Sequence, residues 1–139
     1  MTSALLDTNV LVRFLVNDHK EHHAEATKIF SAAEAGKQKI VVPALVVAET
    51  VFVLQSFYKQ TPTAIASALG TFLSQTWLRV DERSVLLATL ARYGQGKHFV
   101  DAYLWALAKD QSLVVLTFDK QLAKESAYTH GAIRHLDDF

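Results

Sequence analysis

The sequence predicts an α/β protein, a three-layer α/β/α sandwich with a central parallel sheet, and three observations carry the prediction. Apolar runs of four to six residues alternate with longer helical patterns along the chain. The runs are continuously apolar instead of alternating, as in parallel strands covered on both faces. No linker, repeat or low-complexity stretch divides the 139 residues, so one domain over 1–139 with a sizeable core is expected.

Each element has its own warrant. Residues 3–6, Ser-Ala-Leu-Leu, read as a short buried strand and 8–16 as an amphipathic helix. A long helix fits 19–35 and is stopped by Gly36. A second strand over 39–43 closes at Pro43 and leads into a very apolar helix over 44–59. Thr61 is the expected N-cap of the next helix, which runs to about residue 75, with Pro62 in its first turn. The third strand is 77–80, Trp-Leu-Arg-Val, and the helix after it spans 82–93 before Gly94 and Gly96. A helix over 99–109 precedes the clearest strand, 113–118, and residues 119–126 form the last helix. Residues 132–136 are expected as a short edge strand.

Composition limits the function classes. Lys and Arg number 14, as do Asp and Glu, so the net charge is zero and a large basic surface for nucleic acid is not expected. A local groove is compatible with that balance. There is no Cys, hence no disulfide framework and no thiolate metal site. No apolar run has the length of a membrane span, and the opening residues lack a basic n-region and long h-region. A soluble, cytoplasmic protein is the expectation.

The carboxylates carry the chemistry. In an open parallel sheet ligands gather at the carboxyl ends of the strands. Asp7 ends the first strand, Asp119 follows the fourth, Glu49 lies in the helix after the second, and Asp101 opens the helix before the fourth. An Asp at a strand-to-helix junction is also a favoured N-cap. Alone, Asp7, Asp101 and Asp119 read more readily as caps or first-turn acids than as ligands, and Asp81 as a cap.

Glu49 weighs more. Its helical neighbours Leu45, Val46, Phe52 and Val53 offer it no partner, and a buried charge in so apolar a helix needs compensation. Two carboxylates ~4 Å apart repel by roughly 4 kcal/mol at an effective dielectric near 20. Several converging at one edge therefore need protonation or cations, and oxygen ligands match Mg²⁺ or Mn²⁺. Asn9 and Thr117, two residues from Asp7 and Asp119, are expected as supporting polar groups.

Four segments together resemble a known family: Leu-Leu-Asp-Thr-Asn-Val-Leu-Val-Arg-Phe-Leu at 5–15, the Glu49 helix, Phe-Val-Asp-Ala-Tyr-Leu at 99–104, and Val-Val-Leu-Thr-Phe-Asp at 114–119. In order and spacing they are similar to the PIN-domain ribonucleases, and within them to the VapC toxins of bacterial toxin–antitoxin pairs. The resemblance implies a PIN-like α/β/α sandwich and Mg²⁺- or Mn²⁺-dependent endonucleolytic cleavage of RNA. It further implies a homodimer and silencing by a VapB antitoxin. It makes Asp7, Glu49, Asp101 and Asp119 the acidic quartet, with Asn9 and Thr117 as polar supporters.

The expected mechanism has metal held chiefly by Asp7, Asp101 and Asp119, with Glu49 completing the cage or positioning water for in-line attack. Arg13, Lys97 and Lys120, with His98 nearby, are the cations expected to guide RNA. Isolated surface cations are equally ordinary. His19, His22 and His23 have zinc-like spacing but no convincing further ligand, so a polar helix start is expected. Ile29, Phe30, Ala33, Phe52, Phe57 and Tyr58 read as core or dimer contact, and Trp77 and Trp105 as core. A phosphoacceptor domain would want an adjacent acidic pair where Asp7 is followed by Thr8. A DNA or flap-type nuclease would want room for a further domain. The alternative kept is a non-catalytic RNA- or antitoxin-binding module of the same fold.

Overall fold

The computed structural model describes residues 2–125 and 133–135, with side chains for 2–125. Two compact units make up the chain, Met1–Arg83 and Ser84–Phe139.

In the first unit, β1 (Ser3–Leu5), β2 (Lys39–Val41) and β3 (Leu78–Arg79) pair in parallel in that order. Ser3 faces Lys39 and Ile40 faces Leu78. Parallel neighbours need long crossovers. The helices α1 (Thr8–Leu15) and α2 (Lys20–Glu34) form the first, and α3 (Ala44–Ser56) and α4 (Pro62–Leu73) the second. Leu11, Ile40, Leu54, Ile65, Leu69 and Leu78 are fully buried, drawn from every layer of this unit. Phe30 gathers Phe14, Phe72 and Trp77 around it, with ring centroids 4.7, 5.2 and 6.3 Å away.

Local signals fix several boundaries. Thr61 caps α4 through its hydroxyl, which accepts from the Ala64 amide at 3.2 Å, and Pro62 is the first helical residue, as expected. Gly36 turns the chain out of α2 with φ +81°. The first strand, expected to be buried, is exposed. Ser3, Ala4 and Leu5 are exposed, Leu5 at 75%, and only Leu6 is buried. β1 is an edge strand of this sheet, paired through β2 alone. The helix expected over 44–59 stops at Ser56, because the chain turns through a left-handed Lys59, φ +57°.

In the second unit, α5 (Arg83–Gly94) and α6 (Phe99–Gln111) precede β4 (Val115–Thr117), α7 (Lys120–Lys124) and β5 (Ile133–His135). β4 and β5 pair in parallel, with Val115 opposite Ile133. Ala108, Val115 and Leu122 form a buried cluster with Trp105 packed against it. The Arg92 guanidinium lies 4.1 Å from the Trp105 ring centre and the Lys109 ammonium 5.1 Å. Gly96, φ +102°, follows α5, and Ser112, φ +56°, ends α6.

The run 113–118 was expected to be covered on both faces, and β4 corrects this. Val115 is buried, while Leu116 is 65% exposed and Phe118 81%. A two-stranded sheet with one packed face shows only alternate residues to its core. Ser126, Ala132 and Leu136 of the expected terminal elements lie outside the described residues. No described helix is long and apolar enough to cross a membrane.

Candidate active site

Asp7 follows β1 and is the N-cap of α1. Its Oδ2 accepts the Asn9 amide at 3.3 Å, and its carbonyl accepts the amides of Val10 and Leu11. Asp7 is exposed, and its Oδ1 bonds nothing among the described residues. Asn9 supports it through the backbone; its side chain lines a groove with Arg13.

Asp119 repeats the device in the second unit. It caps α7, with Oδ1 accepting the amides of Gln121 at 2.9 Å and Leu122 at 3.2 Å. The Thr117 hydroxyl accepts the Asp119 amide at 3.0 Å and so fixes the backbone that carries the carboxylate. Oδ2 of Asp119 is left without a partner among the described residues. Both residues are therefore caps with one oxygen to spare, and the two readings the sequence allowed are compatible.

Asp101 is half-buried in the first turn of α6. Glu49 is exposed on α3, between exposed Leu45 and Phe52. Glu49 is thus not the buried charge that the sequence suggests: it sits on the open side of the helix, and the buried side is taken by Val47, Thr50, Val51 and Leu54. Asp7 and Glu49 belong to the first unit, Asp101 and Asp119 to the second. Among the described residues, no group of three or more His, Asp or Glu stands close enough together to hold a metal ion. The donors themselves, carboxylate oxygens with no thiolate, suit a hard divalent cation.

The cations divide by partner. Arg13 pairs with Asp18 at 3.1 Å and Lys97 with Glu125 at 3.0 Å, so neither is a free charge. Lys120 is exposed at the start of α7, and His98 is exposed just before α6. Asp81, expected as a cap, instead pairs with Arg79 at 3.0 Å on the surface.

The histidines act as structural groups. His19 Nδ1 accepts the His22 amide at 3.2 Å and caps α2, and their rings stack at 3.9 Å. His23 Nδ1 donates to the Arg13 carbonyl at 3.1 Å. Two further residues, Arg83 and Asp18, take roles that the sequence does not signal. Arg83 donates to the carbonyls of Leu73, Gln75 and Leu78 at 2.8, 2.9 and 2.7 Å. Asp18 accepts both Arg13 and the Tyr58 hydroxyl, the latter at 2.8 Å. No local spacing announces such contacts, since their partners come from five to forty residues away.

No curated protein matches the chain. The family model of the PIN domain matches residues 4–126. PIN domains are generally nucleases and typically use divalent metal ions. The match takes in Asp7, Glu49, Asp101 and Asp119 and spans most of the sequence, and the chain belongs to the PIN domain family.

Proposed function

We propose that the protein is an endoribonuclease that hydrolyses RNA phosphodiesters with a water activated by Mg²⁺ or Mn²⁺. We further propose that it is a VapC-type toxin, neutralised by a VapB-type protein antitoxin, working as a homodimer in the cytoplasm. One observation carries the reading. Within the PIN match, Asp7 and Asp119 each follow a strand and hold one carboxylate oxygen on helix amides while the other stays open.

When bound, the cation would supply Lewis acidity and a water of lowered pKa. Asp7, Asp101 and Asp119 would hold it, and Glu49 would complete the set or accept a proton from water. Asn9 holds the Asp7 carboxylate through its amide, and Thr117 fixes the backbone that carries Asp119. Arg13 and Lys120, with Lys97 set behind its Glu125 pair, would meet the RNA backbone. Exposed Leu45, Phe52 and Phe57, on and just past α3, support an apolar protein partner.

The test compares wild type with Asp7→Asn and Asp101→Asn on a mixed structured RNA in Mg²⁺, Mn²⁺ or EDTA. The expected result is metal-dependent cleavage leaving 5′-phosphate and 3′-hydroxyl ends, reduced about 100-fold or more in both variants. Cleavage indifferent to EDTA and to both substitutions would overturn the metal reading. Ends bearing 2′,3′-cyclic phosphate would overturn water as nucleophile. RNA retained without any cleavage would favour the non-catalytic binding module.

A further inference from the structure

We propose that Tyr58 and Asp18 position Arg13 to take a single phosphate of bound RNA, because Tyr58 occupies one oxygen of Asp18 and leaves Arg13 held by the other. This rests on the RNA-cleaving reading above and adds two residues to it.

Arg13 lies on α1, six residues after Asp7. An arginine and a carboxylate commonly pair through two parallel hydrogen bonds. Here the pair is end-on. Nη1 donates to Asp18 Oδ1 at 3.1 Å, while the Tyr58 hydroxyl donates to Oδ2 at 2.8 Å. The Tyr58 bond is the main reason the Asp18 carboxyl titrates below its ordinary range, so the acceptor is charged at neutral pH.

The rest of the guanidinium is accounted for as well. Nε is buried and unpartnered, and Nη2 bonds nothing among the described residues, so Nη2 carries the donors left for a ligand. The backbone below is tied down by the His23 ring, which stacks on Phe14 and donates to the Arg13 carbonyl. Tyr58 lies two residues past the end of α3, directly before the left-handed turn at Lys59.

Arg13 lines a groove of about 240 Å³ with Asn9, Val10, His22, Glu25 and Ile29. Asn9 is the residue whose amide holds Asp7, so groove and carboxylate share one helix start. Glu25 and Asp18 keep the groove from being broadly cationic, which fits one phosphate contact and not a run of them. An exposed ion pair of this kind adds little stability. What the network supplies is direction.

Tyr58→Phe removes only the hydroxyl and frees Oδ2 to grip Arg13 with both oxygens. Affinity for a mixed structured RNA would be measured in EDTA, with folding checked by thermal melting. Arg13→Gln is expected to weaken binding about fivefold and to reduce the salt slope by ~0.7–0.9, the equivalent of one phosphate. Tyr58→Phe is expected to weaken binding about threefold, with the loss in Mg²⁺ falling on KM rather than kcat. Combined with Arg13→Gln it should add nothing further, since both act through one contact. Arg13→Lys should not restore affinity, because an ammonium is a point charge without the planar fork.

Asp18→Asn keeps an oxygen for Arg13 while removing its competing charge, and should tighten binding. Should Tyr58→Phe lower the melting temperature yet leave affinity and slope unchanged, the network is only a tether and the proposal falls. It also falls if Arg13→Gln leaves binding unchanged while wild type cleaves RNA, an outcome that spares the nuclease. RNA affinity that responds to Arg13 and Tyr58 without any metal-dependent cleavage would support this contact and overturn the nuclease. No binding and no cleavage would overturn both.

Discussion

At Asp7 and Asp119 the same side chain serves the helix and the proposed chemistry, and substitution can separate the two. Asparagine caps about as well as aspartate, whereas alanine leaves the amides of Gln121 and Leu122 unsatisfied. Asp119→Ala is expected to lose about 1 kcal/mol of stability and Asp119→Asn less than about 0.5, measured by urea unfolding. Both should abolish cleavage. Equal activity of the asparagine variant and wild type would make Asp119 a cap alone.

Asp18 and Tyr58 link stability to pH through their hydrogen bond. The Tyr58 hydrogen bond, opposed by partial desolvation and aided by Arg13, lowers the Asp18 pKa from its ordinary 3.8. A lowered folded pKa gives stability that is present above the unfolded value and lost as pH falls through the folded one. The same bond raises the Tyr58 pKa above its ordinary 10.0, and that stability is lost as pH rises through the raised value. The melting-temperature gap between wild type and Tyr58→Phe should therefore be widest between about pH 5 and 9 and narrow at both ends. A gap that stays constant from acid to alkaline pH would mean that neither ionisation is linked to folding.

At the scale of elements, helix starts were written locally and several helix ends were not. Thr61 and Pro62 announce α4, and Gly36 the end of α2, because each acts on amides or carbonyls within a turn of itself. The carbonyls at and just after the C-terminus of α4 are met instead by Arg83, ten residues beyond Leu73. Its three charge-assisted bonds make Arg83→Met costly, about 2–3 kcal/mol by chemical denaturation, since half-buried carbonyls lose their donor. Arg79→Met removes only an exposed pair with Asp81 and should change stability by less than about 1 kcal/mol. Similar losses at both positions would contradict the assignment of Arg83 as a cap. Glu49 belongs to this scale too. An apolar helix was legible, but which of its sides faces water depends on what α3 packs against.

Over the whole molecule charge is balanced, and the cations proposed to meet RNA are few. Arg13 answers Asp18, and Arg92 and Lys97 both answer Glu125. RNA binding should therefore show a shallow salt dependence. Each neutralised phosphate contributes a slope of about −0.7 to −0.9, and we expect a total no steeper than about −3 in a log–log plot of affinity against salt. A slope beyond about −5 would mean that RNA meets more cations than Arg13, Lys97 and Lys120.

The sequence by itself determined the alternation of strands and helices, the caps at Thr61 and Asp7, the glycine stops, and the four acids with their polar neighbours. These features act through hydrogen bonds and hydrophobic periodicity within a few residues, which a sequence displays directly. The edge exposure of β1, the one-sided burial of β4 and the open side of α3 were decided only by tertiary structure. So were the partners of Arg13, Arg83 and Lys97. A charged side chain's partner is whatever packing brings within about 3 Å of it, and Tyr58 reaches Asp18 across forty residues of chain that carry no local sign of the meeting.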